Sequence, residues 1–137
     1  MFLNKIESTD VFQALADRTR VRIMRIMVSI PGADVCLCDM TEALGEPESN
    51  VSRHLKALRQ TGLLDAEKEG RWVYHRLVPS GTVDLFYDLL RGLPDSDGTF
   101  AKDVAKFKIE RKKRVSARCR RGDEPSRSVK NLRSSKL

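Results

Sequence analysis

The stretch from Val35 to Leu64, VCLCDMTEALGEPESNVSRHLKALRQTGLL, leaves this chain few folds to choose from. Behind Asp39, whose side-chain oxygen suits a helix cap, Met40, Ala43 and Leu44 recur at helical spacing. Gly45, Glu46 and Pro47 then make a turn, because glycine tolerates left-handed backbone and proline opens a helix without wasting an N–H. A second helix over about Glu48 to Thr61 has Val51, Leu55 and Leu58 on one side, and Gly62 ends it. Its other side carries Ser49, Asn50, Ser52, Arg53 and His54. Two short helices joined by a tight turn, the second polar on its outer side, make a helix-turn-helix in which the first braces the second.

Past Gly62 the period drops from helical to alternating. Leu64, Ala66 and the run Trp72 to Leu77 read as strands, and the charged AEKEGRW between them reads as a hairpin with Lys68 and Arg71 at its tip. A helix-turn-helix followed by a basic hairpin is a winged helix. The expected fold class is therefore mainly α with a small β-hairpin, a winged helix-turn-helix. Upstream, Thr9 or Asp10 is expected to cap a helix bearing Val11, Phe12, Leu15 and Ala16. Asp17 is expected to cap another that runs to Ser29, before Pro31 and Gly32, with Arg18, Arg20, Arg22 and Arg25 among its apolar residues. Thr82 to Leu93 is helical, with Val83, Leu85, Phe86, Leu89 and Leu90 forming a broad apolar face. The expected organisation is a flexible arm over 1–8, the winged domain over 9–93, and a linker with a basic, partly disordered tail over 94–137. Within that tail, residues 101–115 are compatible with one more helix.

Charge is distributed unevenly. Residues 1–100 hold 12 Lys and Arg against 15 Asp and Glu, whereas residues 101–137 hold 14 against 4, so the basic character belongs largely to the tail. No apolar run approaches the ~20 residues of a membrane span, and the N-terminus lacks a signal-peptide pattern. These features and the three cysteines predict a chain in a reducing cytoplasm, with no membrane partner. No paired-carboxylate constellation, glycine-rich phosphate loop or activated nucleophile stands out, so the chain does not read as an enzyme.

Two kinds of chemistry remain. Ser49, Asn50, Ser52, Arg53, His54 and Lys56 on the second helix, with Lys68 and Arg71 on the wing, are candidate contacts to double-stranded DNA. Short polar side chains suit base edges and phosphates, and arginine pairs with phosphate or guanine. His54 and His75 also suit plain structural roles, and for His75 that is the preferred reading. Cys36 and Cys38 form a C-x-C pair, and thiolates bind soft cations such as As(III), Sb(III), Cd(II), Pb(II) and Zn(II). On a helix, residues two apart splay to different sides. The expectation is that both sulfurs share an ion only if the backbone there is extended or unwound, so that binding distorts the start of the brace helix. Cys119, in the basic tail, is a possible third ligand. The pair also suits thiol-redox sensing, or simple burial as two small apolar side chains.

The segments LADRTRVRIM, VCLCDMTEAL, NVSRHLKALRQTGLL and EGRWVYHRL, in this order, resemble the ArsR/SmtB family of metal-responsive winged-helix repressors, and most of all its arsenical-resistance members. The resemblance covers about residues 11–92. It implies a homodimer built on the helices around Val11–Ala16 and Val83–Leu90, and a repressor that leaves a palindromic operator when As(III) or Sb(III) binds. The arsenic site of such proteins usually reads C-x-C-x-x-C. Cys36 and Cys38 match its first two positions, and Thr41 stands at the third. Cadmium and lead sensors add cysteines from an N-terminal arm, and this chain has none before Cys36. Zinc sensors use His with Asp or Glu on the last helix, where this chain has Asp84 and Asp88 but no His. A constitutive DNA-binding regulator without an inducer is the remaining alternative.

Overall fold

The computed structural model describes residues 6–79 and 81–121, with side chains through residue 113. Residues 1–5, most of the expected arm, and 122–137, the distal tail, lie outside that range. The described residues form six helices and a three-stranded antiparallel sheet of order β1-β3-β2. The helices are α1 (Ser8–Leu15), α2 (Arg18–Ser29), α3 (Leu37–Leu44), α4 (Glu48–Gln60), α5 (Gly81–Gly92) and α6 (Thr99–Arg121). The strands are β1 (Val35–Cys36), β2 (Leu64–Glu69) and β3 (Trp72–Leu77). The expected winged helix-turn-helix is present, with α3 and α4 as its helix pair and β2–β3 as its wing. Among the described residues no helix is long and apolar enough to cross a membrane.

Local chemistry sets most boundaries. The Asp17 side chain accepts from the Arg20 backbone N–H and starts α2, as its position predicts. At α1 the cap is Glu7, not Thr9 or Asp10: the helix begins earlier, and the Glu7 carboxylate accepts from both the N–H and the hydroxyl of Thr9. Asp39 likewise does not cap α3. Cys36 holds that position without a side-chain bond, and Asp39 is buried in the first turn. Gly45 ends α3 at φ +68, and Gly62 follows α4 at φ +88, left-handed conformations that favour glycine.

The core runs between α1, α2, α4 and α5 and is largely aliphatic. Ile23, Met24, Ile26, Met27, Val51, Leu55, Leu58, Leu63 and Leu90 are almost wholly buried. The arginines of α2 clip the neighbouring elements together. Arg20 donates to His54 on α4 (3.0 Å), Arg22 to the Leu44 carbonyl ending α3 (3.3 Å), and Arg25 to the Leu90 and Leu93 carbonyls at the end of α5 (2.9 and 2.8 Å). Arginine is suited to this, since its fork satisfies carbonyls that a helix end leaves open. The Tyr87 hydroxyl sits within 3.0 Å of the Leu63 and Val78 carbonyls and the Val78 N–H, tying α5 to both ends of the wing.

The helix expected over 101–115 is present as α6, and its docking is what the sequence reading lacks. There is a short linker, but its aspartates work as caps: Asp95 accepts from the N–H groups of Phe100 and Ala101, and Asp97 from that of Thr99. The helix they start, α6, packs on α2 and α3. Phe107 is fully buried there, Phe100 is nearly so and lies under the Arg25 guanidinium, and Asp103 accepts two 2.8 Å bonds from Arg22. The proximal part of the basic segment is thus docked on the folded body. Its many charges hide the sparse apolar face that makes this possible.

Candidate DNA interface and thiol site

Helix α4 divides cleanly. Val51, His54, Leu55 and Leu58, spaced three and four apart, are buried, while Ser49, Ser52, Arg53 and Lys56, with the same spacing, are exposed. Four of the expected DNA contacts therefore share one outer face. Asn50 lies at its edge, half-buried, and is pre-positioned: its amide donates to Glu46 at 2.8 Å and its carbonyl accepts from Arg53 at 2.5 Å. Glu46 was not a residue the sequence singled out. It fixes the turn to the polar face and orients Arg53 through Asn50.

His54 is not on that face. It is 7% exposed, and its Nδ1 accepts from Arg20 Nε at 3.0 Å, so the structure uses it to lock the reader helix to α2 rather than to meet phosphate. The signal missing from the sequence was its partner, 34 residues upstream. On the wing, Lys68 near the end of β2 and Arg71 in the turn are both exposed, and the Arg71 guanidinium lies 5.9 Å from the Trp72 ring centroid. The register pairs Glu69 with Trp72, which makes a two-residue turn of Gly70 and Arg71, with Gly70 at φ +62.

His75 is structural, as preferred. It is 3% exposed, its Nε2 meets Arg59 Nη1 at 2.7 Å, and its Nδ1 is buried with no hydrogen-bond partner among the described residues. Burial first, and then the Arg59 charge, push its pKa down to about 4, so the ring is neutral near pH 7. Arg76 on β3 binds Asp34, ahead of β1, and Glu67 on β2, so it joins all three strands.

The thiol pair sits where β1 becomes α3. Cys36 is extended (φ −80, ψ 142) and pairs with Tyr74 of β3, while Cys38 lies in the first turn of α3. That change of backbone within two residues turns the sulfurs toward each other, and Sγ···Sγ is 2.7 Å. This separation is well outside the ~2.05 Å of a disulfide, and neither sulfur is in one. The extended backbone that the sequence reading requires for a shared ion is therefore present at Cys36, and the sulfurs meet with α3 intact. Cys36 is buried and Cys38 half-buried. The hydrogen bond to Cys38, and next burial, hold the Cys36 thiol far above the usual thiol range. Two thiolates at this separation are stable together only beside a cation, so binding of a soft ion would release protons.

Thr41 lies one turn along α3, and its hydroxyl donates to the Leu37 carbonyl at 2.8 Å, an internal helix bond. Among the described residues no group of three or more His, Cys, Asp or Glu is placed to hold a metal ion. What the structure brings together is a two-sulfur donor pair, whose sulfurs must part by about 1 Å to share one tetrahedral ion at ~2.3 Å from each. The Cys119 side chain lies outside the described residues.

Residues 17–66, which span α2, the helix-turn-helix and the start of the wing, match the bacterial regulatory protein arsR family. The chain is 32% identical to a transcriptional repressor SmtB homolog of Synechocystis over 66% of this chain and 67% of that one. The chain belongs to the ArsR/SmtB family. It is also 40% identical to the arsenic resistance transcriptional regulator ArsR1 of Pseudomonas putida, over 64% of this chain and 66% of that protein. This family member spans 57–66% of the length of the arsenic-resistance relatives it matches in Pseudomonas putida and Escherichia coli, less than two thirds of each. Among solved structures, HlyU of Vibrio cholerae superposes with a TM-score of 0.53 at 25% identity, over 61% of this chain and 86% of that one. A homodimeric winged helix-turn-helix DNA-binding domain from Mycobacterium bovis gives 0.53 at 22% identity, over 66% and 87%, and shares the fold.

Proposed function

We propose that this ArsR-family protein is a dimeric, cytoplasmic transcriptional repressor that releases its operator when As(III) or Sb(III) binds Cys36 and Cys38. The observation that carries the reading is the preformed sulfur pair at the β1–α3 joint. Through α3 it reaches α4, against which α3 packs, and through Tyr74 it reaches β3 of the wing. An ion held there acts on both DNA-facing elements at once. The names of the arsenic-resistance relatives favour a trivalent metalloid among the soft cations.

In the DNA-bound form, Ser49, Asn50, Ser52 and Arg53 face base edges and nearby phosphates, and Lys56, Lys68 and Arg71 meet backbone. A second copy is favoured by an apolar patch on α1 and α5. Phe12, Leu85 and Leu89 are 56%, 73% and 47% exposed, and Phe12 packs edge-on against Phe86. A patch of this kind on a small domain is typical of an interface. Two copies related by a twofold axis present their reader helices to major grooves ~34 Å apart. An inducer coupling of ~1–3 kcal/mol, common in allosteric proteins, corresponds to ~5–150-fold weaker operator binding.

Release of operator DNA titrated with As(III), Sb(III), Cd(II), Pb(II) and Zn(II) tests the reading. It requires arsenite or antimonite to act at the lowest concentration. Earlier release by cadmium, lead or zinc assigns another inducer. The short sulfur separation also fits a redox sensor, and release by oxidant that dithiothreitol reverses, without any metal effect, would favour that class instead.

A further inference from the structure

Helix α6 turns its charge outward. Lys102, Lys106, Lys108, Lys112 and Lys113 are exposed, while its two acidic residues are engaged, Asp103 by Arg22 and Glu110 by Lys113. Over Thr99–Arg121 the sequence holds ten Lys and Arg against two Asp and Glu. Residues 1–98, which include the reader helix and the wing, hold 12 against 15. A reading domain of that balance repels a polyanion on average, and sequence-independent affinity for a duplex comes almost entirely from cations on phosphates. Phe107, Phe100 and the Arg22–Asp103 pair fasten α6 to α2 and α3, so its lysines are fixed relative to the reader. Its 23 residues extend ~35 Å, close to one turn of duplex.

We infer that α6 is a second, sequence-independent DNA contact, which lays its exposed lysines along backbone phosphates and supplies most of the protein's nonspecific affinity. The inference rests on duplex DNA being the partner proposed above, and it adds a surface outside the helix-turn-helix and wing. The chemistry recognised is the regular phosphate spacing of a duplex.

The test compares the full chain with a Lys102→Gln, Lys106→Gln, Lys108→Gln, Lys112→Gln variant. Affinity for a random-sequence duplex is measured from 50 to 200 mM salt, with circular dichroism to verify the fold. Each phosphate contact contributes ~0.9 to the slope of log affinity against log salt. The variant's slope should be shallower by about 3–4, so that wild type loses roughly 100-fold more affinity across the range. Preference for operator over random DNA should persist in the variant. An unchanged slope would overturn the inference and leave the basic face to an acidic protein. A loss of operator preference as large as the loss of random binding would overturn it too. If wild type prefers no operator at all, the repressor reading fails, while the slope on random duplex still decides the role of α6.

Discussion

One buried ion pair contributes strongly to the docking of α6, and removing it gives a large, calculable effect. Asp103 is 5% exposed and accepts Arg22 Nε and Nη2 at 2.8 Å each. In Asp103→Ala the guanidinium keeps the Leu44 carbonyl, at 3.3 Å, and the attraction of the Glu46 carboxylate. Breaking a buried pair by removing one partner costs ~3–5 kcal/mol. The Arg22 side chain retains 19% exposure, so the lower end, about 3 kcal/mol, is expected. For a domain of this size that lowers Tm by roughly 10 °C. Urea unfolding and thermal melts of the variant measure it, with Asp97→Ala as control. Asp97 pairs with Arg18, both side chains 63% exposed, and also caps α6 through the Thr99 N–H, so its loss should have a measurable cost well below the Asp103 effect. A double variant, Arg22→Met with Asp103→Leu, removes both charges and should recover much of the loss. A change in Asp103→Ala no larger than that of the Asp97 control would refute the claim that this pair fastens α6.

Three further outcomes follow from particular contacts. Leu85→Glu, at the most exposed large apolar position among the described residues, should convert the proposed dimer to monomer in analytical ultracentrifugation and leave the circular dichroism spectrum unchanged; a dimer that persists would place the interface elsewhere. Arg53→Ala should weaken operator binding by ~1–3 kcal/mol, roughly 5- to 150-fold, with little change on random DNA, and equal losses on both would make Arg53 a phosphate contact. His75 is held near pKa 4 in the fold against 6.5 when unfolded, so the unfolded chain binds the extra proton between those values. Its stabilising effect is complete above about pH 6.5 and declines as pH falls toward 4, by about 3 kcal/mol in all. Comparing stability at pH 5 and pH 7 for wild type and His75→Gln should show a smaller difference in the variant, and identical pH dependence would rule out His75 as a source.

Much of the fold was legible because local and tertiary signals agree. Asp17, Gly45, Pro47 and Gly62 punctuate the chain where helices start and stop, and the spacing of Val51, Leu55 and Leu58 marks the buried side of the reader. The legible part of the candidate site was its outer face: Ser49, Ser52, Arg53 and Lys56 are exposed together. Long-range pairs were not legible. Nothing around His54 announces Arg20, and nothing around Asp103 announces Arg22, 81 residues away. A two-residue strand gives no periodic signal, so nothing in the sequence marks Val35–Cys36 as β1. Without β1 the geometry of Cys36 and Cys38 could not be foreseen, because the strand supplies the extended residue that turns the sulfurs together. The result moves the thiol pair from the start of a helix to a joint shared by helix and wing.

The most direct measurement is operator affinity with and without arsenite, by fluorescence anisotropy, for wild type and for Cys36→Ser, Cys38→Ser. The account requires wild type to release the operator on arsenite addition and the double variant to bind it normally and stay bound. Release by arsenite from the double variant would contradict the assignment of this pair as the sensor.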